Sequence, residues 1–157
     1  MKTLKIGDQA PDFELIESME SGWKLSDHVG HKNIVLLFFP LAYSSTCKEE
    51  LCSMRDGFNE FRGLEAEVIA ASVDSPFVLA NWKKELALPF PLLSDFNKKV
   101  CQEFGAFHTK LGPLQGVAKR SAFVIDNGGK IRYTWISEDP GVLPDVDEIR
   151  RVLNDLK

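Results

Sequence analysis

Ile34-Val35-Leu36-Leu37-Phe38-Phe39, running on into Pro40-Leu41-Ala42-Tyr43-Ser44-Ser45-Thr46-Cys47, is the stretch on which the reading of this chain turns. A continuous apolar run of strand length marks a strand covered on both faces, the centre of a parallel sheet. From about residue 46 to 62 the apolar residues Leu51, Met54, Phe58 and Phe61 recur at helical spacing, and Thr46 with Glu49 forms a capping box at the start. A second strand is predicted over 68–73. Ser75-Pro76 then supplies an N-cap and a first-turn proline for a helix carrying Val78, Leu79, Trp82 and Leu86 on one face. Strand, helix, strand implies a parallel crossover.

Working outward, residues 13–16 and 23–25 flank Ser21-Gly22 and read as an N-terminal hairpin. Leu92-Leu93 reads as a short edge strand, and residues 97–104 as a short helix ended by Gly105. Residues 121–126 and 130–135 flank Asn127-Gly128-Gly129, the signature of an antiparallel hairpin. A last helix follows Pro144, with Val146, Ile149, Leu153 and Leu156 on one face. This order is that of an α/β thioredoxin-like fold with an N-terminal hairpin and an insertion around residues 90–118. No linker or repeat divides it, so a single domain over 1–157 is expected.

The chain has 157 residues, 19 basic and 23 acidic side chains for a net charge of −4, 44% apolar residues and three cysteines. A domain of this length buries about 70% of its unfolded surface and needs no covalent staples. Three cysteines are too few for a disulfide scaffold and point to a reducing, cytoplasmic setting. Residues 1–7 lack the apolar stretch of a signal peptide. The longest apolar run, 34–42, is nine residues and contains Pro40, whereas a membrane span needs about 20. No block of lysine or arginine could track a phosphate backbone, so neither nucleic acid nor a membrane is an expected partner. His28, His31, His108 and the cysteines show no metal-ligand spacing. Gly128-Gly129 sits in no phosphate-loop pattern. Trp23, Trp82 and Trp135 read as core or subunit-contact residues.

In an open α/β sheet, ligands gather beyond the carboxyl ends of the parallel strands. Here that place is the turn from Pro40 to Cys47. Cys47 falls in the first helical turn, where unpaired N–H groups and the helix dipole stabilise an anion. Ser44 offers a hydroxyl that can donate to a bound oxygen and accept from a neighbour, or that simply caps the helix. Arg120 precedes an apolar strand that should lie beside the central one, bringing its guanidinium to the same edge; the alternative is a solvated surface arginine.

Pro40, Ser44 and Cys47 fill the motif proline, three residues, Thr or Ser, two residues, cysteine. With Glu50 three positions after the cysteine and Arg120 before an apolar strand, the chain resembles the peroxiredoxins. Pro40-Leu41-Ala42-Tyr43 and residues 90–95 look most like their alkyl hydroperoxide reductase E type. Cys52, five residues after Cys47, is similar to the bacterioferritin-comigratory-protein branch. The resemblance implies a thiol-dependent peroxidase without a cofactor. In it, Cys47 attacks a hydroperoxide, Arg120, Ser44 and the Cys47 N–H polarise the O–O bond, Pro40 shields the sulfur and Glu50 holds the arginine. Glu50 is equally explained as an acidic residue in a first helical turn, and Pro40 as a strand terminator. Thioredoxin, glutaredoxin or a low-molecular-weight thiol would be the reductant and a homodimer the assembly.

By the same resemblance Cys52 would resolve the oxidised Cys47; the alternative is a packed helical thiol. In an intact helix the two Cα atoms lie about 8.6 Å apart, and a disulfide needs under about 7 Å. Pairing therefore requires the helix start to unwind. Cys101 reads as a core thiol, with a resolving or intersubunit role as the alternative. A thioredoxin-type oxidoreductase would want C-x-x-C where this chain has C-x4-C. A non-catalytic redox sensor or chaperone would stop near one equivalent of peroxide.

Overall fold

The computed structural model describes residues 4–156; Lys157 and Met1 to Thr3, the first residues of the segment expected to lack a signal peptide, lie outside the described residues. In chain order the elements are β1 (Glu14–Ser18), β2 (Ser21–Lys24), β3 (Asn33–Phe38), α1 (Ser45–Asp56), α2 (Phe58–Gly63), β4 (Ala66–Ser72) and α3 (Pro76–Leu86). There follow β5 (Leu92–Ser94), α4 (Lys99–Glu103), β6 (Phe107–His108), β7 (Val117–Ala118), β8 (Ser121–Ile125), β9 (Ile131–Ile136) and α5 (Val146–Asp155).

Seven strands form one sheet in the order β2-β1-β5-β4-β3-β8-β9, with β6 and β7 paired separately in the insertion. β3 runs parallel to β4, and β4 to β5, while β8 lies antiparallel to β3 on its other side. The thioredoxin-like α/β order is thus as read. All six residues of β3 are buried, as a strand covered on both faces requires. Its side chains alternate between two cores. Val35, Leu37 and Phe39 pack with α1, α3 and α5, and Ile34, Leu36 and Phe38 with α4 and the N-terminal segment. Each large apolar side chain so buried contributes about 1.5–3 kcal/mol.

Four local expectations need correction. The helix expected over 46–62 is broken at Gly57, where φ −96° and ψ 9° leave the helical region, and α2 begins anew at Phe58. Glycine is the helix interior's weak point, about 1 kcal/mol worse than alanine, and the break still lets Phe61 reach the core. The N-cap of α1 is Ser44 rather than Thr46, because the helix already begins at Ser45. β5 is no edge strand: it lies between β4 and β1, the N-terminal hairpin having added itself outside it. On α3, Leu79, Trp82 and Leu86 are buried, whereas Val78 is 38% exposed at the first turn.

Candidate active site

The chain leaves β3 at Phe38, passes the buried Phe39 and Pro40, and turns through residues 41–44 into α1. Three contacts fix that turn. Asp74, just beyond β4, accepts the Ala42 N–H at 2.7 Å and the Ser72 hydroxyl at 2.6 Å on one carboxylate oxygen. Tyr43 takes a left-handed φ of 70°, a strained conformation for a residue with a Cβ. Its ring centroid lies 5.4 Å from that of Trp82, and its hydroxyl accepts from Asn81 Nδ2 at 2.8 Å. Ser44, in extended conformation, accepts the Cys47 N–H on its Oγ at 3.3 Å. The hydroxyl hydrogen of this exposed serine is left to point elsewhere. The Cys47 N–H is therefore already engaged and is not the free donor the sequence suggested.

Register brings the arginine in. Ser121 of β8 pairs with Phe38 at the carboxyl end of β3, so the residue before it reaches the edge where Pro40 and Cys47 sit. Arg120 is 1% exposed, and each of its three guanidinium nitrogens has a partner. Nε donates to the Pro140 carbonyl at 2.8 Å, Nη1 to Glu50 Oε1 at 3.3 Å and Nη2 to Cys47 Sγ at 3.1 Å. The planar fork is thus fully specified, with one tine on the sulfur. A charge-assisted N–H on one side and the start of α1 on the other set a positive potential at a sulfur with no exposed surface.

Glu50 is the tense member of this group. It is 2% exposed, and its Oε2 is buried without a hydrogen-bond partner among the described residues. Burial pushes its carboxyl up from the ordinary 4.5 to about 7, against the opposing pull of the Arg120 charge and hydrogen bond. Losing the water around a carboxylate outweighs one imperfect hydrogen bond.

Of the residues singled out from sequence, Pro40, Ser44, Cys47, Glu50 and Arg120 come together at this edge, while the other two cysteines do not join them. Cys52 is half-buried on the same, unbroken α1. Cys101 lies in the core on the opposite face of the sheet, its thiol facing the Lys98 carbonyl at 3.7 Å. Burial and then the neighbouring Asp95 push that thiol far above the ordinary range. Sequence reasoning missed Asp74 and Pro140. Asp74 was findable, since it follows the second parallel strand and so must reach the same edge. Pro140 acts through its backbone carbonyl and leaves no signature in sequence.

His28 lies outside the site, stacked on Trp23 with ring centroids 4.1 Å apart and bonded to Glu67 at 2.9 Å. Among the described residues no group of three or more His, Cys, Asp or Glu is arranged to hold a metal ion, and no helix is long and apolar enough to cross a membrane.

Residues 6–134 match the model of the AhpC/TSA family. The chain is 36% identical over 144 residues to alkyl hydroperoxide reductase E of Mycobacterium tuberculosis, covering 90% of this chain and 91% of that one. It is 35% identical over 162 residues to the chloroplastic 2-Cys peroxiredoxin BAS1 of Spinacia oleracea, covering 97% of this chain and 59% of that protein. Among solved structures, peroxidoxin BcpB from Mycobacterium tuberculosis superposes with a TM-score of 0.86 at 31% identity, covering 98% of this chain and 99% of that one. With an arginine-bound cysteine at the end of the central strand and a family match over most of its length, the chain belongs to the AhpC/TSA family and is a peroxiredoxin, a thiol peroxidase.

Proposed function

We propose that Cys47 is the peroxidatic thiol and that this chain reduces hydrogen peroxide and organic hydroperoxides through it. The observation that carries this reading is the Arg120 Nη2 to Cys47 Sγ contact at 3.1 Å, held from behind by Glu50 and Pro140. The Cys47 thiolate attacks the distal oxygen of ROOH; the S–O bond forms as the O–O bond breaks, and RO⁻ leaves and takes a proton. The products are Cys47 sulfenic acid and ROH. Negative charge moves from sulfur to the leaving oxygen, so fixed donors along that line lower the barrier most. Arg120 supplies one and the Ser44 hydroxyl the other, Glu50 orients Arg120, and Pro40 keeps bulk water from the sulfur.

Cys47 has no exposed surface, so a peroxide reaches it only when the structure around it opens. The same movement serves the second half of the cycle. Cys52 thiolate attacks the sulfenic sulfur; the S–S bond forms as the S–O bond breaks, and the hydroxide leaves and takes a proton, giving a Cys47–Cys52 disulfide and water. With α1 continuous from Ser45 to Asp56, this needs its first turns to open. Thioredoxin, glutaredoxin or a small thiol then reduces the disulfide, or meets the sulfenic acid directly. The whole chain acts as one domain in the cytoplasm, as a homodimer whose contact uses the exposed Tyr43, Phe77 and Val78 beside the site.

Stopped-flow peroxide consumption with a recycling thiol tests the assignment. Cys47→Ser is expected to abolish turnover, and peptide mapping of the peroxide-treated wild type to yield a Cys47–Cys52 crosslink. Turnover surviving in Cys47→Ser overturns the peroxidatic role. A lasting sulfenic acid beside free Cys52 overturns the resolving one.

A further inference from the structure

Resting on that reading, we infer that the exposed turn at residues 137–141 is the device that aims Arg120, with Asp139 as its positioning residue. Three bonds tie this turn to the arginine segment. Ser137 N–H donates to the Arg120 carbonyl at 2.9 Å, Arg120 Nε donates to the Pro140 carbonyl at 2.8 Å, and Lys119 Nζ pairs with Glu138 at 2.6 Å. They are not equal in weight. Glu138 is 79% exposed, and an ion pair so solvated contributes little.

The Nε bond carries the geometry. A guanidinium rotates about its long side chain until a third point fixes its plane. Nη1 and Nη2 already face Glu50 and Cys47, and Pro140 is that third point. The Pro140 carbonyl sits where it does because the turn folds on Asp139. Its Oδ1 accepts the Gly141 N–H at 2.8 Å, its backbone N–H donates to Ser137 Oγ at 3.1 Å, and its carbonyl accepts from the Ser137 hydroxyl at 2.8 Å and from Val142 N–H at 3.2 Å. Asp139 is exposed, so its conformational work is separable from the burial that stabilises the core. The carboxylate reaches the sulfur only through Gly141, Pro140 and Arg120. That remoteness makes the role invisible to any motif.

The test compares wild type, Asp139→Ala, Asp139→Asn, Ser137→Ala and Cys47→Ser by stopped-flow hydrogen peroxide reduction, with the Arg120 Nε–H followed by nitrogen-15 NMR. In Asp139→Ala the peroxide rate constant should fall about tenfold, as for a donor displaced by part of an ångström. The Arg120 Nε–H should lose its exchange protection while the melting temperature stays close to wild type. Asp139→Asn, which keeps the acceptor for Gly141, should restore both. Ser137→Ala should give a smaller loss of the same kind, and serves as the second variant if alanine at 139 disturbs folding. With Cys47→Ser inactive, an Asp139→Ala rate within twofold of wild type, or an Asp139→Asn loss equal to that of alanine, overturns the inference. An active Cys47→Ser instead removes the peroxidatic reading beneath it.

Discussion

Two cysteines of this chain, Cys47 and Cys101, are equally sealed from solvent, each with no exposed surface, each near the start of a helix, on opposite faces of one sheet. Their neighbours are opposite in sign. Cys47 has a guanidinium nitrogen at 3.1 Å and the cap of a twelve-residue helix behind it. Cys101 has Asp95, whose carboxylate takes the N–H groups of Val100 and Cys101 at 3.1 and 2.8 Å and so consumes the donors that could have served a thiolate. Burial alone makes a cysteine a small inert hydrophobe. The nucleophilic role proposed for Cys47 rests on a cation brought into the same dry surroundings, where a charge contact unscreened by water is strong.

The largest effect should come from giving Cys47 an uncharged neighbour like those of an ordinary core thiol. Arg120→Leu is expected to slow peroxide reduction by about 10² to 10³-fold, the cost of removing one fixed donor from a developing oxyanion. A loss under threefold, in stopped-flow assays on folded protein, would mean that the helix start alone distinguishes the two thiols.

An intermediate effect is expected at Glu50, the acid that could make the Cys47 site resemble that of Cys101. Its carboxyl is raised to about 7 by burial, so its favourable contribution to folding is complete below about 4.5 and is lost as pH rises through about 7. Urea melts of wild type and Glu50→Gln across that window should show wild type losing ground to the variant with rising pH, by on the order of 1 to 3 kcal/mol. Wild type holding its stability relative to the variant, or gaining on it as pH rises, would show the carboxylate to be fully satisfied by Arg120 when ionised.

The smallest effect concerns the other face. Asp95→Ala removes the acceptor for two N–H groups of α4 and should cost about 1–2 kcal/mol in urea unfolding, with peroxide reduction within twofold of wild type. A tenfold fall in activity would show that the two faces are coupled through the sheet.

Much of this contrast was legible before any coordinates. The apolar run of β3 had to be a central strand, and a cysteine just beyond it had to sit at a helix start. Arg120, one residue before a strand expected to lie beside β3, had to reach the same edge. What escaped reading did so for identifiable reasons. Thr46 with Glu49 matches the capping box, whereas Ser44, the true N-cap, has Cys47 three residues on and carries no such signature. The choice between them is made by where the backbone turns, which Asp74 and the Tyr43–Trp82 contact decide from residues 30 to 40 positions away. Gly57 was passed over because the apolar spacing continues across it. β5 was misplaced as an edge because a three-residue strand carries no record of its neighbours.

By itself the sequence determined most of the elements, the central strand, the place of Cys47 at a helix start and the family, because each depends on residue type at short spacing or on a local period. Only the tertiary structure decided the direction of the guanidinium, the use of its Nε by Pro140 and the unpaired oxygen of Glu50. It also decided the separation of Cys101 from the site by the thickness of the sheet. Those outcomes depend on strand register and backbone carbonyls, which bring together residues 20 to 73 positions apart without asking for any particular side chain.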